Sequence, residues 1–246
     1  MIWPRVLSAG FALAAALAPA SETLTYTLSP DPKTGTTRVE LVWETAGRTV
    51  SALGVPQRWG GGENVPSILA GMAIDGASRI EQQGPLWVCE HRSGAALRAQ
   101  YVVSPGAREF DWSRTHHPLT TRNFFHGLGR TFLRVPHDRD GVSTREFEVV
   151  LRWRLPAGWR AACSWGVGRN VGARMSAADV RQSLYIAGDL ALREVRDGEL
   201  RMDVVVAEGC EFDVDAFAAL AGDITRAEGR FMNDRGFPPL VGAAIP

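Results

Sequence analysis

Hydrophobic and polar residues alternate in short runs along most of this chain. Leu24, Tyr26 and Leu28 alternate with threonines, and after the turn-forming SPDPKTG the alternation resumes as Val39, Leu41 and Trp43 against Arg38, Glu40 and Glu44. Successive side chains of a strand point to opposite faces, so a period of two with one polar face predicts half-buried antiparallel strands, here a hairpin or near neighbours. The same alternation returns in Leu97, Ala99, Tyr101 and Val103, in Phe147, Val149, Leu151 and Trp153, and in Leu200, Met202, Val204 and Val206. Between Leu190 and Val206, Asp197-Gly198 separates two strand-like runs and is a strong hairpin signal, because that pair takes the positive φ of a tight turn at little cost. Short strands spaced by Gly, Pro and Asp turns, without long helices between them, predict a mainly β protein: an antiparallel β-sandwich spanning 21–211.

Two segments break the period. Ser176 to Gln182 reads as a short helix, with Ser176 and Asp179 spaced as a capping box. From Asp213 onward Phe217, Leu220, Ala221, Ile224, Ala227 and Phe231 fall on one face at helical spacing, with Asp213 or Asp215 as N-cap and Gly236 and Pro238 beyond the stop. This predicts a C-terminal amphipathic helix of about five turns. The closing PPLVGAAIP opens a further apolar strand, so 212–246 reads as a helix and strand leading into a domain that this sequence does not include.

The first twenty residues have the form of an export signal. Arg5 supplies the positive region, Val6 to Leu17 is apolar but for Ser8 and Gly10, and Ala18-Pro19-Ala20 fits small-x-small cleavage. A spanning helix needs about 20 apolar residues, more than this run holds. The expectation is an exported protein, periplasmic or extracellular, starting near Ser21 and without a membrane span. Removing Arg5 leaves 26 basic against 27 acidic residues, a balance that argues against nucleic acid as the main partner. The three cysteines, Cys89, Cys163 and Cys210, form no C-x-x-C pair; one disulfide with a spare thiol and three single cysteines acting as small apolar residues both fit.

Chemistry-bearing residues are densest in HHPLTTRNFFHGLGRTFLRVP, residues 116–136. His116, His117, His126 and the later His137 have no metal-ligand spacing. Phe124, Phe125, Phe132 and Leu133 predict a strand entering and leaving the core, with Gly127 and Gly129 allowing a bend or bulge between. No H-E-x-x-H, G-x-S-x-G, Walker A or G-x-G-x-x-G sequence is present. GGGEN at 60–64 resembles a glycine–glutamate motif that holds a peptide amino terminus, but no zinc-binding helix follows it, and a loop between strands is the simpler reading. Asp138 and Asp140 before Gly141 lack the remaining ligands of a calcium loop and read as a polar turn. Among the tryptophans, Trp153 sits on the apolar side of its strand, whereas Trp59 and Trp112 lie in polar or glycine-rich surroundings and are the candidates for exposed binding.

Longer phrases carry a resemblance. VPQRWGGGENVPSILAGMAIDGA (55–77), GPLWVCEHRSGAALRAQYVV (84–103), NFFHGLGRTFLRVP (123–136), LPAGWRAACSWGVG (155–168) and FDVDAFAALAGDITRAEGRFMNDRGFPPLVGAAIP (212–246) together resemble the amino-terminal region of bacterial glycyl aminopeptidase-type metallopeptidases of the gluzincin kind. The resemblance implies a secreted zinc aminopeptidase whose β-rich first domain precedes a thermolysin-like catalytic domain carrying H-E-x-x-H and a downstream glutamate. This sequence stops before those ligands, so it carries over no catalytic residue, no metal ligand and no cofactor; zinc belongs to the missing catalytic domain. The partners implied are that domain and a peptide substrate, with His126 and Arg130 reaching the cleft edge. The simpler reading of the pair is that Arg130 alternates outward on a strand and His126 fills a bend. A stand-alone secreted β-sandwich that binds glycan, peptide or protein through Trp59 and Trp112 is the alternative.

Overall fold

The computed structural model describes residues 21–58, 65–104, 118–198, 200–232 and 240–244. The signal segment, Trp59, the GGGEN loop, Trp112, His116 and His117 lie outside the described residues, as do Gly236 and Pro238. The chain opens with β1 (Thr23–Asp31), β2 (Thr36–Glu44) and β3 (Val50–Gly54). A 3-10 turn at Val65–Ile68 leads to β4 (Leu69–Asp75), β5 (Ala77–Gln83), β6 (Leu86–His91) and β7 (Ala96–Val103). Next come β8 (Leu119–Thr120), β9 (Phe124–Leu128), the one-turn helix α1 (Gly129–Phe132), β10 (Val135–Asp138), β11 (Gly141–Val142) and β12 (Glu146–Trp153). The series continues with β13 (Arg160–Cys163), β14 (Gly166–Val167), β15 (Asn170–Ser176), α2 (Ala177–Gln182) and β16 (Leu184–Gly188). It closes with β17 (Leu190–Asp197), β18 (Leu200–Ala207), α3 (Val214–Phe231) and β19 (Leu240–Ala244).

One sheet dominates, in the order β15-β12-β1-β2-β7-β4. The first two strands pair as a hairpin with Leu24 opposite Trp43 and Leu28 opposite Val39, as their alternation predicts. Leu24, Tyr26, Leu28, Val39, Leu41, Trp43, Leu97, Tyr101, Phe147, Val149 and Leu151 all point to one side and are buried, because a register set by a period of two delivers every apolar residue to the same face. Against that face lie residues of two five-stranded sheets, β11-β10-β3-β6-β5, which contributes Leu53 and Cys89, and β14-β13-β16-β9-β8, which contributes Phe125, Ala161, Cys163, Tyr185 and Ala187. The mainly β sandwich is therefore observed, and most of its strand pairs are antiparallel. Two pairs are parallel: β1 with β12, and β18 with β19.

The start of β1 is fastened by charge. Glu22 accepts hydrogen bonds from Arg145 Nη1 (2.7 Å), Arg48 Nε (2.9 Å) and Trp43 Nε1 (3.0 Å). Asp138 lies within 3.4 Å of Arg48 and 3.5 Å of Arg145, so the aspartate of the presumed polar turn serves this ion network.

A fourth sheet, β17-β18-β19, packs one face on the third sheet through Leu190, Val205 and Ala207 against Phe124, Ala162 and Ile186. Its other face, with Leu200, Met202, Val204 and Val206, receives α3 through Ala218, Val214, Phe217 and Ala221. The hairpin turns at Gly198 with φ of 61°. Both predicted caps form: Ser176 Oγ accepts from the Asp179 amide (3.1 Å) while the Asp179 carboxylate accepts from the Ser176 amide (3.0 Å), and Asp213 accepts from the amides of Asp215 and Ala216.

The face of α3 is not the one its sequence suggests. Of the six residues expected to pack together, Phe217 and Ala221 turn toward the sheet, while Leu220 (56% exposed), Ile224 (49%) and Phe231 (88%) face solvent together with Ala227. Ala218, Gly222 and Gly229 take the buried line, because small residues let the helix axis approach the sheet closely. At 100° per residue, positions 220, 224, 227 and 231 lie on the side of the helix opposite 218, 222 and 229, so the helix is apolar on two sides.

Candidate functional site

The segment that runs from β9 through α1 into β10 crosses the centre of the molecule. Phe125, Phe132, Leu133 and Val135 are fully buried, and Phe132 stands edge-on to both Phe125 and Tyr185 with ring centroids 5.5 Å apart in each pair. The chain changes direction here, leaving β9 at Leu128 for the helical turn that Gly129 begins, and neither Gly127 nor Gly129 needs a positive φ for it. They permit close approach: a Cβ on Gly127 would sit 2.9 Å from the Phe132 ring, and one on Gly129 would run into the Val180 carbonyl of α2. Phe132 accordingly lies at the end of a helical turn rather than on a strand.

The two residues singled out beforehand part company here. His126 lies within β9, opposite Ile186, only 7% exposed, with its ring stacked on Phe124 at 6.0 Å. Burial pushes its pKa down to about 4, so the imidazole is neutral at ordinary pH. It fills a strand position rather than a bend. Arg130 belongs to α1 rather than to a strand and is half-buried; its positive charge helps to lower the pKa of Arg181 on α2, after burial itself. Trp59 and Trp112 are outside the described residues, so neither can be placed beside these two.

The residue of this stretch with the strongest physical signature is Arg134, which sequence reasoning passed over. Its side chain points inward and the residue is 4% exposed. Two tyrosines hold its backbone: Tyr101 Oη accepts from the Arg134 amide (2.9 Å) and donates to the Phe132 carbonyl (2.9 Å), while Tyr26 Oη donates to the Arg134 carbonyl (3.0 Å). The guanidinium carbon lies 5.8 Å from the Trp87 ring centre and 5.9 Å from that of Tyr101, within cation–π range of both. Nη1 donates to the Pro85 carbonyl (3.2 Å). Nε is buried with no hydrogen-bond partner among the described residues, and so is the indole Nε1 of Trp87. Among the described residues no carboxylate pairs with this charge. Burial pushes the guanidinium pKa down, and the nearby Tyr101 phenol acts in the opposite direction. The signal was present in the sequence: Phe132-Leu133-Arg134-Val135 is an apolar run with one charge in its middle, and charges are almost never fully buried unless paired.

Other reactive groups resolve into structural roles. His91 Nε2 lies 2.9 Å from Ser51 Oγ, but its Nδ1 faces the Arg92 carbonyl (3.0 Å) instead of a carboxylate, and both side chains are sealed in the core. Cys89, Cys163 and Cys210 are all free thiols; burial pushes Cys89 up to about 11 and Cys163 up to about 12, so neither is a thiolate. Among the described residues no group of three or more His, Cys, Asp or Glu side chains could hold a metal ion, and no helix is long and apolar enough to cross a membrane. Trp153 is buried as its alternation requires.

No family model and no curated protein matches the chain. Solved structures do. An aminopeptidase N family protein from Idiomarina loihiensis superposes with a TM-score of 0.70 at 11% identity, over 89% of this chain and 38% of that one. An M1 zinc metallopeptidase from Deinococcus radiodurans, a variant bound to a Tyr-Ser-Ala substrate, gives 0.57 at 14% identity over 92% and 57% of the two chains. A two-domain M1 zinc metallopeptidase bound to L-arginine gives 0.54 at 15% identity over 92% and 56%. The likeness is one of fold: this chain has the architecture of part of an M1-type zinc aminopeptidase and spans between about two-fifths and three-fifths of the length of these neighbours.

Proposed function

We propose that this chain is the non-catalytic, amino-terminal β portion of an exported zinc aminopeptidase-like metallopeptidase, with the zinc ligands in a catalytic domain that follows it. On this reading the sandwich is a rigid wall, the β18–α3–β19 unit is the passage into the catalytic domain, and the chain by itself neither binds catalytic zinc nor cleaves peptides. The observation that carries the proposal is the second apolar side of α3. Leu220, Ile224 and Phe231 stand exposed on a helix whose opposite side is already packed, and an apolar stripe of that length is a surface made to be covered. The fold likeness to a part of larger peptidases supports the same reading.

The decisive test is the coding sequence beyond the codon for Pro246. An open frame reaching H-E-x-x-H within about one domain's length, roughly 150 residues, is the expected result. A stop codon there, or a frame without zinc ligands, overturns the proposal. Export is tested separately by sequencing the amino terminus of the product from the periplasm or medium, which is expected to start at Ser21.

A further inference from the structure

The outward side of the main sheet carries a row of residues that the strand pairing fixes. Along β1 the inward residues are Leu24, Tyr26 and Leu28, so Ser29 turns outward; directly opposite it stands Arg38 of β2, and opposite Arg38 stands Val102 of β7. On the other side of Ser29, Arg154 follows the last residue of β12, with its amide bonded to the Leu28 carbonyl (2.9 Å). Neighbouring strands lie about 4.8 Å apart, so the backbones of the two arginines flank Ser29 at a separation of roughly 10 Å. The short serine side chain leaves the space between them unfilled. A recess of about 370 Å³ opens there, and its lining includes both arginines with Ser29, Asp31, Thr36 and Val102. Both arginines are open to solvent, the Arg154 side chain being 64% exposed. Glu40 accepts from Arg154 Nη1 (2.7 Å), which draws that guanidinium across β1 toward the strand that bears Arg38. Arg38 itself makes no hydrogen bond or ion pair among the described residues. Asp31 does not claim it, because its carboxylate accepts from the Lys33 amide (2.9 Å) within the β1–β2 turn.

We propose that this recess binds a phosphoryl group carried on a small polar molecule, with Arg38 and the nitrogens of Arg154 not taken by Glu40 donating to its oxygens. A planar carboxylate offers two oxygens and is satisfied by one guanidinium, whereas a tetrahedral phosphoryl group offers three or more and suits two. Volume supplies the rest of the ligand. Clefts that hold small molecules begin at about 300 Å³, and a water molecule takes about 30 Å³, so filling this recess displaces on the order of ten waters. That is more than a bare ion replaces, and Thr36 and Val102 offer a hydroxyl and an apolar surface to the body of an ester. The Glu40 pair holds Arg154 near its working position before the ligand arrives, which lowers the entropy lost on binding. The inference concerns residues of this chain alone and does not depend on the metallopeptidase reading.

The test uses the full chain in a phosphate-free buffer, with glucose 6-phosphate and inorganic phosphate as probes and glucose and acetate as controls, all at one ionic strength set with chloride. The readouts are titration calorimetry and the melting temperature. Glucose 6-phosphate is expected to bind saturably and to raise the melting temperature by about 3 °C at ten times its dissociation constant, whereas glucose and acetate do neither. Arg38→Gln and Arg154→Gln are each expected to weaken binding about tenfold or more. Arg98→Gln removes one charge from an exposed arginine of β7 outside the recess and is expected to bind as the wild type does. All three replace exposed side chains, so their melting temperatures without ligand should stay within about 2 °C of the wild type. Saturation by the ester at lower concentration than inorganic phosphate supports a phosphate ester as the ligand, and equal or tighter binding of inorganic phosphate supports the free ion. If neither phosphate probe binds saturably at millimolar concentration, if acetate binds as tightly as they do, or if Arg38→Gln loses no more affinity than Arg98→Gln, the proposal is overturned and the two arginines are solvated surface groups.

Discussion

At the scale of single residues, position inside the sheet decides what a titratable group does. His126 and Arg134 stand eight residues apart in one segment, both in the lowest tenth of exposure, yet a histidine can shed its charge and an arginine cannot. His126 therefore makes stability depend on acid. Its folded pKa of about 4 lies below the ordinary 6.5, so between those values the unfolded chain binds the proton that the folded chain refuses. Stability is full above pH 6.5, falls by roughly 3 kcal/mol as pH drops toward 4, and levels off below it. Burial, aided by the Arg181 charge, pushes His137 in the same direction. Urea unfolding at pH 7 and pH 4.5 is expected to show a larger loss for the wild type than for His126→Leu; an equal loss in both would mean that His126 is accessible to solvent. Sequence reasoning singled out His126 and Arg130 in this segment by residue type and passed over Arg134, whose only signal is a charge set among apolar neighbours.

At the scale of elements, caps and alternation were legible and close contacts were not. The Ser176–Asp179 box, the Asp213 cap and the Asp-Gly hairpin depend on residues a few positions apart, so local sequence specifies them. The roles of Gly127 and Gly129 depend on what stands opposite them in space, which no local pattern records. Gly129 starts α1 directly against the end of α2, and a methyl group there meets the Val180 carbonyl, a backbone atom that cannot swing aside. Gly129→Ala is expected to cost about 2 kcal/mol, seen as a lower urea midpoint with an unchanged m-value. No loss of stability would show that α1 and α2 can separate without penalty. The parallel pairing of β1 with β12 was illegible for a related reason: the partners lie more than a hundred residues apart, and the alternation of each strand reveals its inward face but not its neighbour.

At the scale of the whole molecule, three sheets close around one core and a fourth is covered on both faces, and among the described residues the outer side of α3 leaves several large apolar side chains exposed together. A sequence can give the spacing of Leu220, Ile224 and Phe231, but not the side from which a sheet approaches; here the sheet took the line of Ala218, Gly222 and Gly229 and left the larger side chains outside. Burying them would return about 25 cal/mol for each Å² removed from water. The isolated full chain therefore has a drive to cover the stripe with another copy of itself when no other domain is available. It is expected to self-associate with rising concentration in sedimentation velocity, and Ile224→Glu combined with Phe231→Glu is expected to return it to a monomer. Those two side chains face away from the packed side of the helix, so the melting temperature should stay within about 2 °C of the wild type. A monomer at all concentrations without the substitutions would mean that the stripe is tolerated in water, and the case for a covering domain would lose its main support. A double variant that unfolds would mean that the helix packs through the opposite face from the one described here.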